Sequence, residues 1–146
     1  MPTYTVSSPA GRLTPAQRSA LALEITRAHE RRTGAQSFFA QVVFTDVPQS
    51  HWFVGGVPID ADQIFIQGQV REGRSGDIKR ALLDDLTEIA ARISMVPRRK
   101  VWVYLSEIPA ARMVEFGHVL PAPGLEGEWL ASLPEEDRAF LRSLGH

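Results

Sequence analysis

The chain has 146 residues, with 16 Lys or Arg against 17 Asp or Glu, so its formal net charge is −1 at pH 7 and its pI is about 6.4. It has no cysteine, which excludes disulfide scaffolds, thiol nucleophiles and cysteine-ligated metal sites. The balanced charge argues against a general nucleic-acid binder, and the 44% of hydrophobic residues predicts one globular domain over residues 1–146.

The chain begins with a predicted strand and a predicted helix. Residues 2–7 alternate in polarity, as a half-buried β-strand does. Thr14 as the N-cap, Pro15 at the first helical position and Gln17 as the capping-box partner predict where the helix starts. Apolar residues recur at helical spacing as far as Gly34, a residue type that often ends helices.

A second strand and a second strand–helix pair follow. The apolar, β-rich run 38–45 predicts a strand, and the loop after it has a short edge strand at 52–54. Residues 64–70 predict the third main strand. Ser75 can cap a second helix, which Pro97 terminates because proline cannot continue a helix.

The last part of the chain is predicted to hold one strand and an irregular tail. Residues 101–105 form the fourth main strand, and the sequence after Glu107 is rich in proline and glycine. The run 132–135 has the pattern of a second capping box, which predicts a short helix continuing through Leu141. We expect a hairpin and a short helix in this tail.

The two halves repeat at a fixed offset of 61 residues, as repeats 2–62 and 63–123 followed by a tail at 124–146. Element types and apolar positions agree between them, as in the pairs Pro2 and Gln63, Leu21 and Leu82, and Val42 and Val103. The predicted fold is α/β: a duplicated β-α-β unit with a four-stranded mixed sheet and two helices on one face. The other sheet face stays uncovered, so we expect an oligomer.

Pro2 is the first candidate for chemistry. If Met1 is removed, Pro2 starts the chain with a secondary amine. Amino termini titrate near about 8, a range suited to a general acid or base at neutral pH. The alternative is that a Met-Pro start carries no function, and a retained Met1 would turn the amine into an amide.

Arg71 and Arg74 are the second candidate. They lie in the turn between the end of a strand and the start of a helix, where ligands bind in parallel α/β units. Cations are mildly unfavourable at a helix N-terminus, so two arginines there indicate a bound anion. The alternative is a solvated turn with Glu72 as their partner.

Three further residues are weak candidates when taken singly. His29 near the end of the first helix is more often a helix-dipole partner or a satisfied core group than a catalyst. Tyr104 lies in an apolar strand, out of phase with its apolar neighbours, where a tyrosine usually only packs. Glu115 among apolar neighbours is a candidate for a shifted pKa, although surface loop glutamates are commoner.

The remaining histidines and the tryptophans are interpreted as structural. Histidines 29, 51 and 118 lack close metal-ligand spacing, so we predict no metal site. No stretch matches a nucleotide-binding fingerprint, so no cofactor is predicted. Tryptophans 52, 102 and 129 are expected to be core or interface anchors.

A terminal proline combined with a 61-residue β-α-β duplication resembles the plan of the tautomerase superfamily. Within it, the sequence is similar to the cis-3-chloroacrylic acid dehalogenase family in blocks spread over nearly the whole chain. The matching blocks are residues 12–15, 28–29, 33–34, 40–42, 71–75, 101–104, 113–115 and 126–129.

The resemblance implies a role for each candidate residue. Arg71 and Arg74 would bind the carboxylate of the substrate. Glu115 and Tyr104, assisted by His29, would activate a water for attack on C3. Protonated Pro2 would then deliver a proton to C2.

The implied enzyme converts a small unsaturated acid, cis-3-chloroacrylate, to malonate semialdehyde and chloride without a cofactor. The resemblance also implies a homotrimer. We expect no nucleic-acid partner, and no membrane partner because no apolar run approaches the about 20 residues of a membrane span. With no signal segment at the start, we expect a cytoplasmic protein.

Two departures from the family pattern leave alternatives open. Phe116 and His118 stand where the dehalogenase pattern has tyrosine and arginine, which puts the polarity near Glu115 in question. Relatives with the same six residues hydrate acetylenic acids or tautomerise enols, so a hydratase, or a tautomerase with neutral Pro2 as base, is the alternative. A further alternative is a non-enzymatic trimeric binding protein with a vestigial pocket.

Overall fold

The structure is a computed structural model that describes residues 2–144. The main sheet consists of β1 (Thr3–Pro9), β2 (Gln41–Val47), β5 (Ile64–Arg71) and β6 (Val101–Ile108). Two hairpins consist of β3 (Phe53–Val54) with β4 (Val57–Pro58), and β7 (Val114–Glu115) with β8 (His118–Val119). The helices are α1 (Pro15–Thr33), α2 (Gly76–Ser94), α3 (Glu126–Ser132) and α4 (Glu135–Ser143).

The main sheet has the strand order β2-β1-β5-β6. Strands β1 and β2 pair in parallel, as do β5 and β6, and each pair is joined through one helix. The central strands β1 and β5 run antiparallel. The predicted four-stranded mixed sheet is therefore confirmed, and the start of β1 and the end of β5 meet at one end of it.

The ends of both long helices follow from local side chains. Thr14 Oγ1 accepts a hydrogen bond from the Gln17 amide at 3.1 Å, and Gln17 Oε1 accepts one from the Thr14 amide at 3.0 Å, so the predicted capping box is present. Gly34 ends α1 in the left-handed conformation. Ser75 caps α2 as predicted, accepting from the Ile78 amide at 3.2 Å.

Both long helices cover the same face of the sheet. Alternate residues of the central strands face them and form one core. Its fully or almost fully buried members include Tyr4, Val6, Ile64, Ile66, Leu21, Ile25, Leu82 and Leu86. Burial of side chains of this size stabilises the fold by roughly 1.5–3 kcal/mol each, so this layer holds the ends of the sheet in place.

The 61-residue offset holds for the helices but not for the phase of the first strands. Helices α1 and α2 start and end 61 residues apart. In β1 and β5, however, the even-numbered residues face the helices in both strands, so Tyr4 corresponds in phase to Ile64 or Ile66 rather than to Phe65. The expected agreement in core phase along the whole repeat is wrong there, because the repeats differ by one residue in this strand or its turn.

The strand bounds also differ from the sequence expectations. Residues 37–39 form a 3₁₀ turn, and β2 starts only at Gln41. Phe39 is buried there in a second small cluster with Ala35 and Leu120, so its apolar character reflects that cluster and not a strand. The short strand expected at 52–54 is half of the β3–β4 hairpin.

The predicted helix start in the tail is wrong. Ser132 is the last residue of α3, a helix that we did not predict, and its Oγ donates to the carbonyl of Trp129 at 2.7 Å instead of capping a new helix. Helix α4 begins after Pro134 without a side-chain cap and continues past Leu141 to Ser143. The expected hairpin and terminal helix are both present.

The second face of the sheet carries no helix and displays aromatic side chains. Trp102 and Tyr104 on β6 are 43% and 55% exposed. Their rings stack with centroids 6.5 Å apart, and the ring of Phe65 on β5 packs edge-on against Tyr104 at 5.0 Å. Exposed aromatic patches of this kind mark interaction surfaces. Within residues 2–144, none of the helices is long and apolar enough to cross a membrane.

Candidate active site

The site begins where β5 ends and α2 starts. Arg71, the last residue of β5, is 3% exposed. Its Nη1 donates to the carbonyl of Pro121 at 2.7 Å, and its Nη2 donates to the carboxylate of Glu126. Its Nε is buried and has no hydrogen-bond partner among residues 2–144. Buried donors are normally paired, so this nitrogen is an exception in the structure.

Glu126 holds Arg71 from the first residue of α3. Partial burial raises the pKa of the Glu126 carboxyl, but the hydrogen bond and charge of Arg71 and backbone hydrogen bonds outweigh it and leave that pKa below its ordinary value. Glu126 is therefore ionised at pH 7, close to the helix N-terminus, where a negative charge is favoured.

Arg74 completes the cationic turn and shares a cavity with Arg71. Burial, together with the charge of Arg71, lowers the pKa of Arg74. The cavity has about 10 Å³ of space for water centres, which is about enough for a single water. Its wall includes the two arginines and His29. Two adjacent guanidinium groups with one buried free donor favour an anion here.

His29 lies in the buried face of α1 and is neutral. Burial lowers the pKa of its imidazole to about 3, and the positive charges of Arg74 and Arg71 contribute. Its Nδ1 lies 2.8 Å from the hydroxyl of Tyr4. The ring is therefore a neutral group at the wall of the arginine cavity.

Pro2 lies at the same end of the sheet. It is fully buried, and its carbonyl accepts a hydrogen bond from the Gln41 amide at 2.9 Å. Thr3 pairs with Gln69 in the antiparallel β1–β5 ladder, so Pro2 runs alongside the residue that precedes Arg71. The start of the chain is thus next to the cationic turn.

Glu115 approaches the start of β1 from the other side. It lies half-buried in β7, opposite His118 in β8. It lines an open groove of about 820 Å³, together with Thr3 of β1 and Gln41 of β2. Thr3 follows Pro2 directly, so this groove reaches the residue next to Pro2.

The two departures from the family pattern have different positions. Phe116 lines the groove beside Glu115 and packs edge-on against Phe140 of α4. His118 Nε2 lies 2.8 Å from an Asp137 carboxylate oxygen, which ties the hairpin to α4. The apolar Phe116 therefore changes the groove wall, whereas His118 serves a contact to α4.

Tyr104 is not brought to the other candidates within one chain. It belongs to the exposed aromatic patch on the uncovered sheet face, whereas the arginine cavity lies under the helices. Of the six candidates, His29, Arg71 and Arg74 share one cavity. Glu115 lines a separate groove with Thr3, the residue after Pro2, and Tyr104 lies apart from both.

Comparison with known proteins identifies the fold. The family model described as "Putative oxalocrotonate tautomerase enzyme" matches residues 1–132. The chain belongs to the tautomerase superfamily. Among curated proteins, none matches this chain.

Solved structures similar to this chain extend the comparison. N1, a member of the cis-3-chloroacrylic acid dehalogenase family, is 35% identical over 97% of this chain and 99% of its own, with a TM-score of 0.94. Native Ps01740 is 29% identical over 77% of this chain and 99% of its own, with a TM-score of 0.74. The R7 fused 4-OT asymmetric trimer is 26% identical over 80% of this chain and 94% of its own, with a TM-score of 0.73. The predicted superfamily and its likeness to the dehalogenase family are confirmed.

Sequence reasoning missed two residues of this candidate site, Glu126 and Tyr4. Glu126 starts one of the blocks that match the family, but its distance of 55 residues from Arg71 hides the ion pair. Tyr4 was assigned only to a strand face, and nothing in the local pattern indicates that its hydroxyl reaches α1. No group of three or more His, Cys, Asp or Glu that could hold a metal occurs in residues 2–144.

Proposed function

We propose that this tautomerase-superfamily protein is a cofactor-independent enzyme that adds water to a small 3-substituted unsaturated carboxylate, with cis-3-chloroacrylate as the test substrate. The observation that carries the proposal is the pair Arg71 and Arg74 at one closed cavity beside buried Pro2. The likeness to a member of the dehalogenase family at a TM-score of 0.94 supports it.

The arginines provide the binding step. The carboxylate of the substrate binds to the guanidinium groups of Arg71 and Arg74, which line one cavity. The guanidinium groups draw electron density toward the carboxylate, which makes C3 of the conjugated double bond electrophilic. Because the cavity has room for about one water, it must widen when the acid binds.

Pro2 and Glu115 provide the proton transfers once Met1 has been removed. Glu115 accepts a proton from water as the water oxygen bonds to C3, and the Pro2 ammonium donates a proton to C2. The product is a chlorohydrin, which loses a proton and chloride to give malonate semialdehyde. Acid and base lie on opposite sides of the double bond, a geometry that saves orientational entropy.

Tyr104 takes part only if the protein is a trimer. The aromatic patch of β6 is uncovered in one chain, and a neighbouring copy that covers it would bring Tyr104 to the neighbour's groove. The R7 fused 4-OT, 26% identical, is a trimer and supports a homotrimer here. Trp102 then serves as an interface anchor.

A second candidate function is enol–keto tautomerisation, favoured by the oxalocrotonate tautomerase description of the family. It requires a neutral Pro2 amine that acts as base. The nearby charges of Arg71 and Arg74 lower the pKa of an amine, and the carboxylate of Glu115 raises it. Acetylenic acid hydration uses the same residue roles as dehalogenation.

Turnover by the Met1-processed protein tests the proposal. The substrates are cis- and trans-3-chloroacrylate, propiolate and phenylenolpyruvate, each compared with the Pro2→Ala and Arg71→Ala variants. We expect turnover of cis-3-chloroacrylate or propiolate that depends on both residues. Preferential turnover of phenylenolpyruvate would favour the tautomerase. Negligible turnover of all four by every form would overturn both enzymes and leave a binding protein.

A further inference from the structure

The side chain of Tyr4 is tightly packed in the core. It is fully buried in β1 and pairs with Gly68 of β5. A Cβ on Gly68 would lie 2.7 Å from Cε1 of Tyr4 and 2.6 Å from Cδ2 of Leu105, far inside ordinary contact distance. Gly68 is therefore required by space, as glycines in strands often are where another group approaches closely. The ring, and with it the hydroxyl, is fixed in one position.

The hydroxyl is aimed at one nitrogen of His29. The Tyr4 Oη to His29 Nδ1 distance is 2.8 Å, both groups are buried, and the rings meet edge to face at 5.9 Å. Burial raises the pKa of the Tyr4 phenol and lowers the pKa of His29 to about 3. At neutral pH the phenol therefore keeps its proton, and the imidazole carries a single proton that can sit on either nitrogen.

Hydrogen-bond satisfaction decides between the two tautomers. If Nδ1 of His29 carried the proton and donated it to Tyr4, the buried phenolic O–H would need another acceptor, and residues 2–144 offer this hydroxyl no second partner. An unsatisfied buried donor carries the full desolvation penalty. If the phenol donates to Nδ1, both buried atoms of this contact are satisfied. The remaining proton is then on Nε2, which is not among the buried unpaired atoms of residues 2–144 and belongs to a ring at the cavity wall.

We propose that Tyr4 is a positioning residue that holds neutral His29 in the tautomer protonated at Nε2. His29 then offers a neutral N–H donor at the wall of the arginine cavity, without adding a third positive charge beside Arg71 and Arg74. This assigns His29 to carboxylate binding and not to proton transfer. The role in catalysis rests on the proposed function, but the tautomer is a property of the free protein.

The test reads the tautomer directly by ¹⁵N NMR of histidine-labelled protein, with the His29→Gln spectrum used to assign the signals. We expect wild type to show the Nε2–H tautomer at pH 7, and Tyr4→Phe to show a mixture or the Nδ1–H form. Ile66→Val, another core change in the same sheet, is the control for lost stability and leaves the tautomer unchanged. A wild-type Nδ1–H tautomer overturns the proposal even if Tyr4→Phe fails to fold.

A kinetic arm separates this inference from the proposed function. If cis-3-chloroacrylate is a substrate, Tyr4→Phe raises its KM about five- to tenfold, the effect expected from one disordered donor, and changes kcat less. An Nε2–H tautomer without turnover of any acid overturns the proposed function and leaves the inference about Tyr4 standing. An unchanged tautomer in Tyr4→Phe contradicts the inference whatever the activity.

Discussion

The two ends of the main sheet have the same construction and different side chains. At one end, the start of β1 meets the turn after β5 and the β7–β8 hairpin. At the other end, the start of β5 meets the turn after β1 and the β3–β4 hairpin. The strand ladders align Arg71 with Pro9, because each pairs with the equivalent residue of the neighbouring parallel strand. From the helix starts to the hairpins, residues 61 apart correspond, so Arg74 and Glu115 stand where the second end has Leu13 and Val54.

This comparison separates what the fold needs from what the chemistry needs. The second end has buried Leu13 where the first end has Arg74, and Ala90 in α2 where α1 has His29. Both ends fold into the same elements, so the ionisable set is not required by the architecture. Polar groups buried without a structural need are typical of functional sites.

The largest expected effect is the loss of catalytic activity caused by a substitution in one of the two hairpins. Glu115→Gln is expected to lower kcat/KM for the acid substrate by about 10²–10⁴-fold, the range for loss of a general base. Val54→Thr, at the corresponding position of the other end, is expected to change it less than about threefold. Steady-state kinetics of both variants measures this. Equal losses would contradict the assignment of chemistry to one end.

Removal of Arg71 is expected to affect stability as well as binding. Arg71→Ala leaves Glu126 and the Pro121 carbonyl without their donor, at a cost of about 2–4 kcal/mol, toward the lower part of the range for broken buried pairs because Glu126 is partly solvated. Urea unfolding measures the change. The control Ala10→Ser, an exposed change in the turn at the other end of the sheet, should cost less than about 0.5 kcal/mol. A loss as small as this in Arg71→Ala would show that the ion pair is not structural.

The lowered pKa of His29 is expected to make the stability of the protein depend on pH. Its folded pKa of about 3 lies below the unfolded value of 6.5, so the unfolded state binds more protons between these values. The contribution is fully present above pH 6.5 and is lost as the pH falls toward 3, at up to about 1.4 kcal/mol per pH unit. His29→Gln should flatten this slope in urea unfolding at a series of pH values. Identical slopes would show that His29 is solvated.

The smallest expected effect concerns the tips of the two hairpins. Gly55 has φ 61° in the first hairpin, and Phe116 has φ 53° at the corresponding place in the second. Gly55→Ala should destabilise by about 1 kcal/mol, because a Cβ in the left-handed region is strained. Phe116→Gly relieves that strain but loses packing on Phe140, so its net change in thermal unfolding should be smaller. A larger loss in Phe116→Gly would show that packing outweighs strain at this tip.

Local patterns were enough to predict the parts of the fold that local interactions determine. Contacts within a few residues determine the three helix ends that were predicted, at Thr14, Gly34 and Ser75. The helical periodicity of the apolar residues also predicted two helices at an offset of 61 residues. The predicted helix start at Ser132 was wrong because Ser132 ends α3, and its hydroxyl donates back to the carbonyl of Trp129 in that helix. The predicted agreement in core phase between β1 and β5 was wrong. A shift of one residue in a strand moves its side chains to the other face but leaves little trace in composition.

Most residues of the candidate site could be predicted only from the resemblance of the sequence to the tautomerase superfamily. Arg71 and Arg74 stood out by position alone, at a strand–helix turn. His29, Glu115 and Pro2 come from separate elements that only the antiparallel pairing of β1 with β5 and the return of the β7–β8 hairpin bring together. The contact from Tyr4 to His29 spans two layers of the fold, and the pattern of burial along β1 carries no information about a hydroxyl.

The most direct test of the account is a ¹⁵N NMR titration of the Pro2 amine in protein that mass spectrometry shows to lack Met1. The account predicts a pKa above neutral, so that the Pro2 ammonium is populated at pH 7 as the acid that protonates C2. A pKa well below neutral would contradict the account, because a neutral Pro2 is the base that a tautomerase requires.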